Sequence, residues 1–201
     1  MSDTKENILI TALHLFAQNG YAAVSVSDIA GVLGITKGAL YKHYKNKRDI
    51  FDSIVARMEQ FDTARAQEYK LPERALIEME EAYRRASIKQ MIAFSRAQFY
   101  YWTEEDFPSS FRKMLTLEQY RNEEMKALYQ QYLVSGPLGY VTDLFSSWNI
   151  RDAQNKAIEF YAPMFLFYSM YDGAGDKSAA VSVLKQHIDQ LCEKWKENND
   201  H

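Results

Sequence analysis

The sequence predicts an all-α fold: an N-terminal three-helix domain containing a helix-turn-helix, then a larger helical domain. Three observations predict it. Apolar residues recur at helical spacing along most of the chain, and no stretch alternates as a strand does. Helix-starting Ser, Thr, Asp and Asn and helix-ending Gly fall between the apolar runs. Residues 25–47 hold two short helical patterns with one glycine between them.

The first helix is expected over residues 4–19, where Leu9, Ala12, Leu13 and Phe16 form one face and Gly20 ends it. Ser25 followed by Asp28 is a capping box that opens the second helix. Val26, Ile29, Ala30 and Leu33 give that helix its apolar face, and Gly34 is its left-handed stop. Thr36 is the expected N-cap of the next helix, and Leu40 and Tyr44 return an apolar face to the helix before it. Ala30 is small, which lets the two helices cross closely.

The helix opened by Thr36 has the composition of a nucleic-acid reader. From Thr36 to Arg48 the chain carries Lys37, Lys42, Lys45, Lys47 and Arg48 and no acidic residue. Thr36, Tyr41 and His43 add hydrogen-bonding groups, and Gly38 and Ala39 keep the surface flat for close approach to a duplex. Such a helix fits the major groove, its N-terminal residues reaching base edges. A solvated basic face is the plainer reading of the charge, but cap, glycine, small residue and basic helix in this order favour DNA. Asn46 caps a fourth helix with Asp49 at its third position, and Lys47 stands at the first, against the helix dipole. A grip on a DNA phosphate would explain that lysine.

The first 50 or so residues resemble the DNA-binding domain of the TetR family of bacterial transcriptional regulators. The resemblance rests on Ile8-Leu9 with Ala12, Leu15-Phe16-Ala17, Gly20-Tyr21, Ser25-Val26, Asp28-Ile29-Ala30, Gly34-Ile35, Lys37-Gly38, Leu40-Tyr41, His43-Tyr44 and Lys47. Leu33 stands where the family often has alanine, and Tyr44 where it usually has phenylalanine. The resemblance implies domains at 1–47 (helix-turn-helix) and 48–201 (helical ligand binding and dimerisation). It implies operator contacts from Ser25, Thr36, Lys37, Gly38, Ala39, Tyr41, Lys42, His43 and Lys47. It also implies a homodimer joined through the last two helices.

Beyond residue 48, Phe51, Ile54, Met58 and Phe61 run down a helix expected to end near Leu71-Pro72. A helical pattern follows from Glu73 to Trp102, and Pro108 with Glu104, Glu105 and Asp106 marks a break. One helix is expected from Ser109 to Leu133, with Phe111, Leu115, Met125, Leu128 and Tyr132 inward. Gly136-Pro137-Leu138-Gly139 reads as a loop before a short helix over 140–147. Asp152 is the expected cap of a helix running towards Tyr171, kinked or interrupted by Pro163. Residues 172–175 are a turn, and a last helix runs from about Lys177 to Trp195.

Val181, Leu184, Ile188, Leu191 and Trp195 form a two-heptad seam on that last helix. With Ile158 they are the expected dimer interface, since operators are normally read by two-fold pairs. Burial inside the same subunit produces the same periodicity. Of 28 aromatic residues, 19 lie between Phe94 and Tyr171, so aromatics crowd the region that interrupted helices would leave loosely closed. A bulky core or a ligand cavity would each use them. The cavity reading names Phe94, Phe99, Trp102, Met114, Met125, Tyr129, Phe165 and Tyr168 as its walls and a largely apolar or aromatic molecule as its occupant.

Composition narrows the classes. A net charge of −3 argues against general coating of nucleic acid but permits a local basic patch. No apolar run reaches membrane-spanning length and no secretory leader is visible, so a cytoplasmic protein without a membrane anchor is expected. The single Cys192 rules out an intrachain disulfide, and four scattered histidines suggest no metal site. No nucleophile elbow, phosphate loop, dinucleotide fingerprint or zinc-protease motif is present, so neither catalytic residues nor a cofactor is expected. The expectation is a DNA-binding regulator, a repressor released by a small ligand; the alternative keeps DNA binding and gives the helical domain a protein partner.

Overall fold

A computed structural model describes residues 4–68 and 80–199, and among them every regular element is helical. The helices are α1 (Thr4–Asn19), α2 (Val26–Val32), α3 (Lys37–Tyr41), α4 (Lys47–Glu68), α5 (Glu80–Arg85) and α6 (Ile88–Thr103). They continue as α7 (Asp106–Glu118), α8 (Glu123–Leu133), α9 (Ser135–Ser147), α10 (Ala153–Tyr161), α11 (Pro163–Gly173) and α12 (Lys177–Asn199). The chain divides into two compact units, Met1–Arg65 with Glu105–Val134, and Ala66–Glu104 with Ser135–His201. Compactness thus groups most of α4, and α7 and α8, with the first three helices, whereas the end of the motif suggests a boundary at residue 47. The physical reason is that α1 lies along α7 more extensively than along α2.

In the first unit α1 buries Ile8, Leu9, Ala12, Leu13 and Phe16. Ile29 and Ala30 from α2, Leu40 from α3, Tyr44, and Ile50, Phe51, Ile54 and Met58 from α4 are buried too. From α7 come Phe111, Met114 and Leu115, and from α8 Met125, Tyr132 and Leu133. The break before α7 falls at Glu104–Glu105, and Pro108 sits in the helix's first turn, where no N–H is needed. The single helix expected over 109–133 is two helices. Asn122 starts the second, its side chain accepting from the N–H groups of Glu124 (3.0 Å) and Met125 (3.1 Å).

In the second unit Tyr83, Met91, Val141, Leu144, Phe145, Ala157 and Phe160 form one core, with Phe94, Tyr140, Trp148 and Leu191 packed against it. Ser87 opens α6 with a capping box to Gln90. Phe99 stacks on Tyr168 (centroids 5.6 Å apart, planes 3° apart) and meets the edge of Tyr171 at 5.8 Å. Residues 136–139 are not a loop but the first turn of α9, where a proline costs nothing for the same reason as in α7. Pro163 does separate two helices, α10 and α11. Asp152 precedes α10 in a left-handed conformation (φ 60°) without a side-chain cap bond; its carboxylate instead accepts from the Asn155 amide. The expected helix end near residues 71–72 lies outside the described residues.

Candidate nucleic-acid interface

The helix-turn-helix is built from local bonds. Ser25 accepts from the Asp28 N–H at 3.2 Å while the Asp28 carboxylate accepts from the Ser25 N–H at 2.7 Å. The Ser25 hydroxyl also donates to that carboxylate at 2.7 Å, and this bond, followed by the one from the Ser25 N–H, holds the Asp28 carboxyl below its usual range. Gly34 takes φ +65°, its N–H donating to the Gly31 carbonyl while that of Ile35 donates to Ala30. That pair of bonds is a Schellman stop, and the left-handed residue within it favours glycine. Thr36 then caps α3 by accepting from the Ala39 N–H at 3.1 Å. Regular helix ends at Tyr41, and residues 42–46 lead to α4, so the basic run expected on one helix is spread over α3, a turn and the start of α4.

Ser25, Thr36, Lys37, Gly38, Tyr41, Lys42 and His43 are exposed, and Ala39 is half-buried. Lys37, Lys42 and Lys45 form no ion pair with any described residue, which leaves three cations and the Tyr41 phenol around one short helix. This surface can give ammonium groups to phosphates and small polar groups to base edges. Arg48 is not part of it. Its guanidinium donates to Asp52 and, through both terminal nitrogens, to Glu124 at 2.6 Å, and these carboxylates push its pKa up.

Lys47 is half-buried and already engaged. Its ammonium donates to the carbonyls of Tyr21 (2.8 Å) and Val24 (2.9 Å) and lies 4.3 Å from the Tyr21 ring centroid. Burial pulls its pKa down, partly opposed by the Glu118 carboxylate. Charge at the start of α4 thus serves the turn between α1 and α2. Glu118, near the end of α7, is 1% exposed. It sits against that turn so closely that a Cβ at Gly20 would lie 2.5 Å from its Oε1. Nothing in the sequence near Gly20 announces a carboxylate from so distant a residue; Gly20 reads there only as a helix stop. His14 of α1 meets both carboxylate oxygens of Asp106 at 2.8 Å, so a polar pair ties the start of α7 to α1.

The other candidate residues fall in different places. Phe94, Phe99, Trp102, Phe165 and Tyr168 belong to the second unit and Met114, Met125 and Tyr129 to the first. Phe99, Trp102, Met114, Met125 and Tyr168 are buried; Phe94, Tyr129 and Phe165 are half-buried. Of the α12 seam, Leu184 (3% exposed) and Ile188 (1%) are covered by their own protomer, Val181 is half-buried, and Leu191 packs on the core around Tyr83. The seam therefore faces inward, because α11 and the α5–α9–α10 core supply its apolar partners. The Trp195 side chain lies outside the described residues. Among the described residues of α10 to α12, Ile158 (42%), Leu166 (61%), Met170 (39%) and Val183 (45%) are large apolar side chains left exposed. Among the described residues no group of His, Cys, Asp and Glu is arranged to hold a metal, and no helix is long and apolar enough to cross a membrane.

Geometry of this kind defines a helix-turn-helix DNA-binding domain. Residues 8–54 match the family model for bacterial regulatory proteins of the tetR family. Over that segment the chain is similar to the DNA-binding domain of TetR-family transcriptional regulators. It is 44% identical over 52 residues to the HTH-type transcriptional regulator AcrR of Shigella flexneri, covering 26% of this chain and 24% of that one. It is 39% identical over 56 residues to the HTH-type transcriptional repressor BepR of Brucella suis, covering 28% and 27%. The chain thus spans about a quarter of the length of these curated relatives. Over nearly the whole chain the fold matches SmeT, repressor of the Stenotrophomonas maltophilia multidrug efflux pump SmeDEF (TM-score 0.61, 17% identity, 96% of this chain and 90% of that). It also matches a transcriptional regulator of Saccharomonospora viridis in complex with choline (TM-score 0.62, 16% identity, 96% and 97%).

Proposed function

We propose that the chain is a one-component transcriptional repressor that binds operator DNA as a homodimer and is released by a small, largely apolar or aromatic ligand. The observation that carries the DNA part is the exposed α3 surface, with Lys37, Lys42 and Lys45 in no ion pair with a described residue, beside capped helix starts at Ser25 and Thr36. One such helix holds little DNA, so two copies would read half-sites about one helical turn apart. The exposed apolar residues of α11 and α12, Leu166, Met170 and Val183, support a contact between copies through those helices.

The ligand part rests on the aromatic second unit, where Phe94 and Phe165 keep part of their rings uncovered among buried ones. The SmeT fold has also been solved as a triclosan complex, and the Saccharomonospora protein with choline; those ligands belong to those proteins. For release, the ligand must favour the form that does not fit DNA, and a tenfold preference is worth about 1.4 kcal/mol. The test is to sequence the DNA that the protein selects from random fragments, then to screen lipophilic cations, neutral arenes and fatty acids for release of that DNA. Selection of no common sequence would overturn the DNA reading. Release by none of the compounds, with operator binding intact, would overturn the ligand reading.

A further inference from the structure

Asp62 lies on α4 in the first unit, and its Oδ1 is sealed from solvent with no hydrogen-bond partner. A carboxylate oxygen in that condition is costly unless a proton or a cation meets it. The charged groups around it do not fill that role. On α4, Arg65 has Glu105 at 3.6 Å, and Glu59 adds a like charge; on α8, Tyr132 brings a hydroxyl whose pKa Asp62 helps to push up. Burial raises the Asp62 carboxyl to about 7, against the pull of Arg65. The aromatic setting is close by: Tyr132 meets Phe111 edge-on at 5.2 Å, and Phe61, one residue before Asp62, meets Phe107 at 5.5 Å.

We propose that Asp62 receives the basic head of an organic cation, whose apolar body lies against the rings beside α4, and that this cation is the effector. The inference rests on the effector reading above for release from DNA, narrows the ligand to one class, and assigns its head group to the first unit rather than to Phe94 and Phe165 of the second. A bare metal ion fits poorly, because hard cations need several oxygen ligands and no such group exists among the described residues. An ammonium carried on an aryl or alkyl body meets both needs, since it pairs with the carboxylate and gains from aromatic faces.

The test uses the whole chain and aryl-alkyl trimethylammonium salts of three sizes, each matched with an uncharged tert-butyl isostere. Calorimetry at about pH 8 should give at least about tenfold tighter binding of the ammonium compound. That preference should shrink at about pH 5.5, where Asp62 carries a proton. Asp62→Asn should abolish the preference at about pH 8 and leave ligand-free operator binding as it was. Equal binding of the two compounds by the wild-type protein at both pH values, or an undiminished preference in Asp62→Asn, would overturn the proposal. The wild-type pH comparison decides by itself if the variant does not fold. Operator release separates the two readings: release by the uncharged isosteres alone would keep the effector reading and sink the Asp62 assignment.

Discussion

The ammonium of Lys47 donates to the main-chain carbonyl of Tyr21 and lies over the ring of the same residue. A lysine at the start of α4 looks misplaced against the helix dipole, and here its charge braces the turn that precedes α2. Lys47 thus has a structural duty in the free protein in addition to any grip on DNA.

Lys47→Ala should therefore lower both the melting temperature and the affinity for every DNA sequence. The salt dependence separates the two effects. If the ammonium holds a phosphate, its removal reduces the slope of log K against log salt by about one. An unchanged slope with a lower melting temperature would confine Lys47 to bracing the turn.

On α3 the expected effects differ residue by residue. Lys37→Ala should change the preferred sequence, and Tyr41→Phe should weaken specific and random DNA alike. Thr36→Ala should also cost about 1 kcal/mol of stability, because its hydroxyl caps the Ala39 N–H. Thr36→Ser keeps the cap, so it isolates any contribution of the methyl group to base reading. Equal decreases on specific and random DNA for all of these variants would count against base readout.

Gly20 combines φ +84° with a Glu118 carboxylate oxygen 2.5 Å from where a Cβ would lie. Gly20→Ala should destabilise by roughly 1–3 kcal/mol from backbone strain alone, with a further cost from displacing Glu118. Glu118→Ala in the same chain should restore the second part and not the first. A double-mutant cycle in urea measures the coupling. Additive effects would mean that the carboxylate moves aside freely.

For the dimer, the direction of each side chain sets the outcome. Leu184→Asp puts an unpaired charge into a site already covered by its own protomer, and should unfold or strongly destabilise the monomer. Leu166→Glu and Val183→Glu alter exposed positions, and should leave the fold intact while shifting sedimentation towards monomer. Folded dimers in both glutamate variants would place the interface elsewhere. For the ligand site, Phe165→Ala is a cleaner probe than Phe99→Ala. Phe99 is fully buried against Tyr168, so truncating it costs about 3–5 kcal/mol of core packing.

Asp62 gives the stability a recognisable pH dependence. Its folded pKa of about 7 lies above its ordinary value of 3.8, so the folded state holds the proton more tightly. The contribution is therefore fully present below about pH 4 and is lost as the pH rises to about 7, by up to about 1.4 kcal/mol per pH unit. Asp62→Asn should flatten that part of the profile and raise the melting temperature at about pH 8. A profile identical to wild type would show that Asp62 titrates in the native state as it does unfolded.

The sequence by itself determined the helix-turn-helix and its order. Ser25 with Asp28, Gly34 and Thr36 act over three or four residues, so their bonds form wherever that sequence forms a helix. It also determined the all-α class, the apolar face of α1, and that of α4 as far as Met58, Phe61 being exposed. Proline and glycine were less decisive, because the first turn of a helix accepts them at no cost, as Pro108 and Pro137 show. The tertiary structure alone decided what covers each face. Periodicity marks Leu184 and Ile188 as apolar without saying that their own protomer buries them. The basic run does not reveal that Arg48 is spent on Glu124, or that Lys47 is spent on Tyr21 and Val24. Nor does it place Glu118 against Gly20, or leave one oxygen of Asp62 sealed and unbonded. Local bonds need only neighbouring residues, whereas these interactions mostly join residues far apart in the chain and exist only once the helices have packed.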